Sequence, residues 1–79
     1  MAHVHRAYGV PGLDAEGARL LSNHLRRIPG VHDVTVWIGQ QQIDVDYDPA
    51  QVTPEALAEA ARELGYLAEA MPYVERWPG

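Results

Sequence analysis

Apolar and polar positions along this chain recur with two periods, and the period changes wherever proline or glycine intervenes. Leu21, Leu25 and Ile28 return at helical spacing, with Leu20 widening the stripe to one buried face. Arg26 and Arg27 fall in the last turn, where positive charge complements the helix dipole. Pro29-Gly30 ends that helix, because proline cannot continue it and glycine accepts positive φ. Val34, Val36 and Ile38 then alternate with period two, so His32 to Ile38 reads as a half-buried strand. Upstream, His3 to Val10 reads as a first strand with Val4, Tyr8 and Val10 on one side, although Arg6 intrudes on that side. Pro11-Gly12 breaks it, and Asp14 is placed to cap the following helix, which runs to about Ile28. Gly17 in the first turn is a poor helix former, which implies either close packing or a mobile helix start.

Downstream, Gly39-Gln40-Gln41 is polar and turn-like, and Gln42 to Tyr47 follows it as a third strand. Strands two and three are therefore expected as an antiparallel hairpin. Thr53-Pro54-Glu55 opens a second helix with a cap, a proline at the first helical position and an acid in the first turn. Leu57, Ala60, Ala61 and Leu64 form its apolar stripe, Gly65 stops it, and Tyr66 to Met71 reads as a short fourth strand. The order β-α-β-β-α-β predicts an α+β, ferredoxin-like sandwich: a four-stranded antiparallel sheet with both helices on one face. The other face of the sheet is left open. Residues 1–71 make the domain, and 72–79 form a C-terminal tail whose Tyr73, Val74 and Trp77 have the option of packing back.

Composition narrows the functions available to such a fold. Seventy-nine residues make one domain. A net charge of −5 argues against nucleic acid, which wants a basic face. The absence of cysteine removes disulfides, thiolate metal sites and thiol catalysis together. No apolar run approaches the roughly 18–20 residues of a membrane span, and the start lacks the apolar stretch of a secretory signal. The cytoplasm is the expected location. Ser22, the lone serine, sits mid-helix without a matched base, and no Gly-rich phosphate loop is present, so an enzyme is not expected.

Three stretches resemble the heavy-metal-associated domain, the module of copper chaperones and metal-pumping P-type ATPases. LRRIPGVHDVTVWI is similar to the family's helix end, Pro-Gly-Val and second strand. IDVDYDPAQVTPEALAEAARELGY is similar to its third strand, Tyr-Asp-Pro turn, second helix and Gly-Tyr. GLDAEG stands where the family carries Gly-Met-x-Cys-x-x-Cys. Counting back from Pro29-Gly30 puts the two cysteine positions at Asp14 and Gly17; anchoring on Gly12-Leu13 puts them at Ala15 and Ala18. Neither alignment yields a thiolate, so paired-cysteine Cu(I) chemistry is not carried over. The resemblance implies metal binding and trafficking, for transport or detoxification, with a metal-transporting ATPase or another metal-binding domain as partner.

Other ligands must then carry any metal. His3 and His5 are two apart on a strand and share a face. With Val45 and Tyr47 turned to the helices, Asp44, Asp46 and Asp48 share that open face with them. Imidazole beside carboxylate suits Zn²⁺, Ni²⁺, Co²⁺ or Cu²⁺ better than Cu⁺. His3, His5 and Asp46 are the candidate metal ligands; His24 and His32 are weaker candidates, adequately explained by a solvated helix end. Asp14 and Glu16 are the only potential ligands left in the old loop, and capping explains Asp14. Trp37 falls on the open face as a contact for a partner or a second copy, or lies under the tail. A metal-independent interaction or regulatory module is the competing reading, in which the fold survives and the site is lost.

Overall fold

The computed structural model describes residues 3–70. Its elements are β1 (Val4–Gly9), α1 (Ala15–Arg26), β2 (Val31–Trp37), a one-turn 3₁₀ helix (Ile38–Gln40), β3 (Gln42–Tyr47), α2 (Pro54–Glu63) and β4 (Glu69–Ala70). The sheet order is β2-β3-β1-β4 with antiparallel pairing throughout, so the expected ferredoxin-like sandwich is the architecture observed.

Local chemistry sets the helix starts. The Asp14 carboxylate accepts from the Gly17 backbone N–H at 2.7 Å, and the Thr53 hydroxyl oxygen accepts from that of Ala56 at 3.1 Å. The turn into β2 depends on Gly30, whose φ is +100°. A Cβ there would stand 2.7 Å from the Gln51 Cβ, so both the conformation and the space demand glycine. The Gly30 carbonyl accepts from the Asp48 N–H at 2.8 Å, which fastens this turn to the end of β3.

Alternation in the strands supplies the sheet half of the core. Tyr8, Val10, Val34, Ile43, Val45 and Tyr47 are buried against Leu21 and Leu25 of α1 and Leu57, Ala60 and Ala61 of α2. Each large side chain buried in this way contributes about 1.5–3 kcal/mol. Arg6, on the same side of β1, is half-buried beside Pro54, Glu55 and Ala58, and the strand continues past it. Three apolar expectations fail. Leu20 is 43% exposed because helical rotation already turns Leu21 and Leu25 to the sheet and carries Leu20 outward. Ile38 is 42% exposed because the chain leaves strand geometry at Trp37 and enters the 3₁₀ turn. Leu64 lies past the end of α2 and is also exposed.

The fourth strand is shorter than expected among the described residues. Only Glu69 and Ala70 pair, with Gly9 and Tyr8, while Tyr66 and Ala68 pack against the core as a connector. Residues 71–79, where the expected tail falls, lie outside the described residues. No helix among those described is long and apolar enough to cross a membrane.

The Tyr8 hydroxyl, buried under α2, donates to the Pro54 carbonyl at 3.1 Å. Burial pushes its pKa up to about 12. A folded-state value above the unfolded one means that folding holds the proton, so stability is full below pH 10 and falls between pH 10 and 12. Tyr8→Phe should lower stability by about 1–2 kcal/mol at neutral pH and flatten that alkaline decline, as urea melts across the range will read.

Candidate functional site

The residues with metal-ligand chemistry reach one surface because β1 and β3 bury their alternate positions. Val4, Tyr8, Ile43, Val45 and Tyr47 turn toward the helices, which leaves His3, His5, Asp44 and Asp46 on the open face. In the β1–β3 register His5 stands opposite Asp46 and Ala7 opposite Asp44. The side chains meet on the diagonal instead. His3 Nδ1 lies 3.7 Å from Asp46 Oδ1, and His5 Nε2 lies 3.5 Å from Asp44 Oδ2. The structure therefore brings His3, His5 and Asp46 to one face but separates them into two histidine–carboxylate pairs, with Asp44 serving His5.

Those separations carry chemical information. They are long for hydrogen bonds. Two ligands each about 2.1 Å from a tetrahedral ion stand about 3.4 Å apart, close to the spacing of both pairs. Asp44 is also oriented from its own side of the sheet: Trp37 Nε1 donates to Oδ2 at 3.2 Å and Gln42 Nε2 donates to Oδ1 at 3.0 Å. Such supporting donors are what a ligating carboxylate needs to hold its direction. Among the described residues, however, no three His, Asp or Glu side chains are gathered into a ready-made ion site.

The remaining histidines diverge. His24 Nε2 pairs with Glu63 Oε1 at 3.0 Å, which bridges α1 to α2 and takes this ring away from the open face. His32 moves toward it. Its ring stacks on that of His3, with centroids 4.2 Å apart and planes 14° from parallel. Asp48 lies at the same corner. The Ala50 N–H holds its carboxyl below the usual carboxylate range, Gln51 adds a second hydrogen bond, and the nearby His32 and His3 rings contribute attraction.

The loop at the other pole tells a different story. Its only two carboxylates are Asp14 and Glu16. Asp14 spends its carboxylate on the helix cap, and Glu16 faces solvent beside Arg19 at 3.9 Å. Gln41, in the left-handed region at φ 55°, completes the closure. Its side-chain oxygen accepts from the N–H groups of Gly12 and Leu13 at 2.7 and 3.0 Å, and its amide donates to the Leu13 and Ile38 carbonyls. The Tyr66 hydroxyl occupies the space that a side chain at position 17 would need, and its Cζ lies 2.6 Å from where a Cβ would stand. Gly17 is thus the close-packed alternative. Soft-metal chemistry does not fit this loop: it has no thiolate, the Asp14 carboxylate is engaged in the helix cap, and Tyr66 fills the space beside Gly17. Neither Gln41 nor Tyr66 stood out as a site residue in the sequence; a polar turn and a Gly-Tyr pair were the only traces.

A four-stranded antiparallel sheet carrying two helices on one face defines a small ferredoxin-like domain. The chain belongs to the heavy-metal-associated domain family, whose profile matches residues 10–66. The water-soluble region of the P-type ATPase CopA from Bacillus subtilis is 32% identical, with 85% of this chain and 45% of that one covered and a TM-score of 0.81. The copper chaperone of Enterococcus hirae in its apo form is 28% identical over 84% of this chain and 98% of its own, at a TM-score of 0.77. Oxidized MerP from Ralstonia metallidurans shares the fold at a TM-score of 0.85 and 22% identity, covering 90% of this chain and 100% of its own. No curated protein matches the chain.

The Gly17–Tyr66 packing predicts a sign reversal. Gly17→Ala should destabilise the protein by about 1–3 kcal/mol through overpacking. In a Tyr66→Ala background the same change should stabilise by up to about 1 kcal/mol, since alanine is the better helix former. A double-mutant cycle by chemical denaturation reads both values; equal effects in the two backgrounds would mean that the tyrosine does not occupy that space.

Proposed function

We propose that this domain binds and hands on a divalent metal as cargo, through histidine and carboxylate ligands on its open sheet face rather than through the family's loop. The observation that carries the reading is the pair of His–Asp contacts, His3 with Asp46 and His5 with Asp44, at the spacing of ligands around one ion. Nitrogen and oxygen donors select borderline ions, so Zn²⁺, Ni²⁺, Co²⁺ or Cu²⁺ is the expected cargo. Two-ligand contacts on an exposed surface hold an ion loosely, which suits exchange better than storage. Net charge −5 favours docking on a basic surface, and a metal-transporting ATPase or a second metal-binding domain is the partner the family suggests.

A metal-independent interaction module is the second reading, and Tyr66 favours it. The family's loop is closed by packing, while the open face offers Trp37 at 47% exposure as a contact for a partner or a second copy.

Calorimetric titration of the untagged protein with Zn²⁺, Ni²⁺, Co²⁺ and Cu²⁺, beside the His3→Ala/His5→Ala double variant, separates the two. Binding at micromolar Kd or tighter that the variant loses is the result expected of the metal reading. Equal weak binding by both proteins would leave the interaction module as the function.

A further inference from the structure

The corner where β1 and β2 both begin holds an arrangement that simple strand geometry does not provide. In the sheet, β3 lies between β1 and β2. Side chains projecting straight from two strands with a third between them stand about 9–10 Å apart, two strand spacings. The rings of His3 and His32 are nonetheless in contact, 4.2 Å between centroids. A bulge explains the approach. The β2–β3 register steps from Val31↔Tyr47 to Asp33↔Asp46, so His32 is the extra residue with no partner of its own on β3. Bulges bend the strand and re-aim the side chain they carry. Here His32 is carried over the end of β3, and His3 leans in from the other side.

We propose that His32 is the second imidazole of the metal site, so that His3, His32 and Asp46 together form the binding corner for a borderline divalent cation such as Zn²⁺. This rests on the open-face reading above and changes its ligand set, replacing His5 with His32. In the stack the two ring planes are nearly parallel, so their in-plane lone pairs run side by side and do not converge. An ion must therefore sit at the ring edges, on the side where Asp46 Oδ1 lies 3.7 Å from His3 Nδ1. His32 is exposed, so its ring has room to leave the stack, and the proposed site requires that it turn a nitrogen toward that point. Asp48 supports the site from the outer side. Both of its oxygens already accept hydrogen bonds, from the Ala50 N–H at 2.9 Å and Gln51 Nε2 at 3.1 Å, so it contributes fixed negative charge beside the two rings. His5 is less well placed for the same ion, because its contact is with Asp44 and not with Asp46.

The test titrates the full chain with Zn²⁺ by calorimetry and with Co²⁺ by visible absorption, comparing the wild type with His3→Gln, His5→Gln and His32→Gln. Imidazole ¹⁵N signals are followed through the Zn²⁺ titration. The expected result is at least a tenfold loss of affinity in His3→Gln and in His32→Gln, less than a threefold loss in His5→Gln, and Zn²⁺-dependent shifts at His3 and His32 with His24 unmoved. All three substitutions are on exposed or half-exposed rings, and far-UV circular dichroism checks that each variant folds. Wild-type affinity in His32→Gln, with binding still lost in the His3→Ala/His5→Ala protein, overturns the His32 assignment and leaves the open-face reading standing. Absence of Zn²⁺ binding by the wild type overturns both.

Discussion

The burial of alternate residues on β1 and β3 is the constraint from which the remaining features follow. Tyr8 on β1, Val10 just past its end, and Ile43, Val45 and Tyr47 on β3 must face the helices, since together they make most of the sheet side of the core. A one-residue slip would expose all of them and bury four ionisable groups. The histidines and aspartates therefore share the outer face by exclusion, and their proximity reflects the pleat as much as any attraction between them. Tyr8 adds direction to this packing, because its hydroxyl bond to Pro54 ties the middle of the sheet to the first turn of α2.

The two poles of the domain carry different chemistry. At the loop pole each group answers a neighbour: Asp14 caps α1, Gln41 closes the backbone of Gly12 and Leu13, and Tyr66 covers Gly17. Glu16 faces solvent there, 3.9 Å from Arg19. At the other pole, carboxylates and imidazoles lie just beyond hydrogen-bond length of one another, and the His32 bulge draws one more ring into the group. Trp37, 47% exposed, donates to Asp44 on that same face.

The chain's membership of the heavy-metal-associated family rests on residues 10–66, which carry the core pattern and the turns but no cysteine. Family and ligand set are thus separable here. The positions that make the sandwich, from Leu21 and Leu25 to Leu57 and Ala61, are those that a core of this size cannot exchange for polar residues. The loop positions carry no such burden, and exchanging them alters the chemistry while leaving the fold intact.

The sequence by itself determined the order and type of the elements, the cap residues Asp14 and Thr53, the burial of Leu21, Val45 and Leu57, and the shared face of His3, His5, Asp44 and Asp46. These follow from periodicity and from local hydrogen bonding, which act over a few residues. Tertiary structure alone decided the rest. Leu20, Ile38 and Leu64 are apolar yet exposed, because rotation about the helix and the end of strand geometry depend on where neighbouring elements stop. Tyr66 reaches Gly17 across nearly fifty residues of chain, and Gln41 reaches Gly12 and Leu13 from the turn between β2 and β3. Which carboxylate each histidine meets, and that His32 rather than His24 joins them, depended on a bulge and on inter-helix packing. Such contacts are set by distances between elements in space, a quantity that spacing along the chain does not encode.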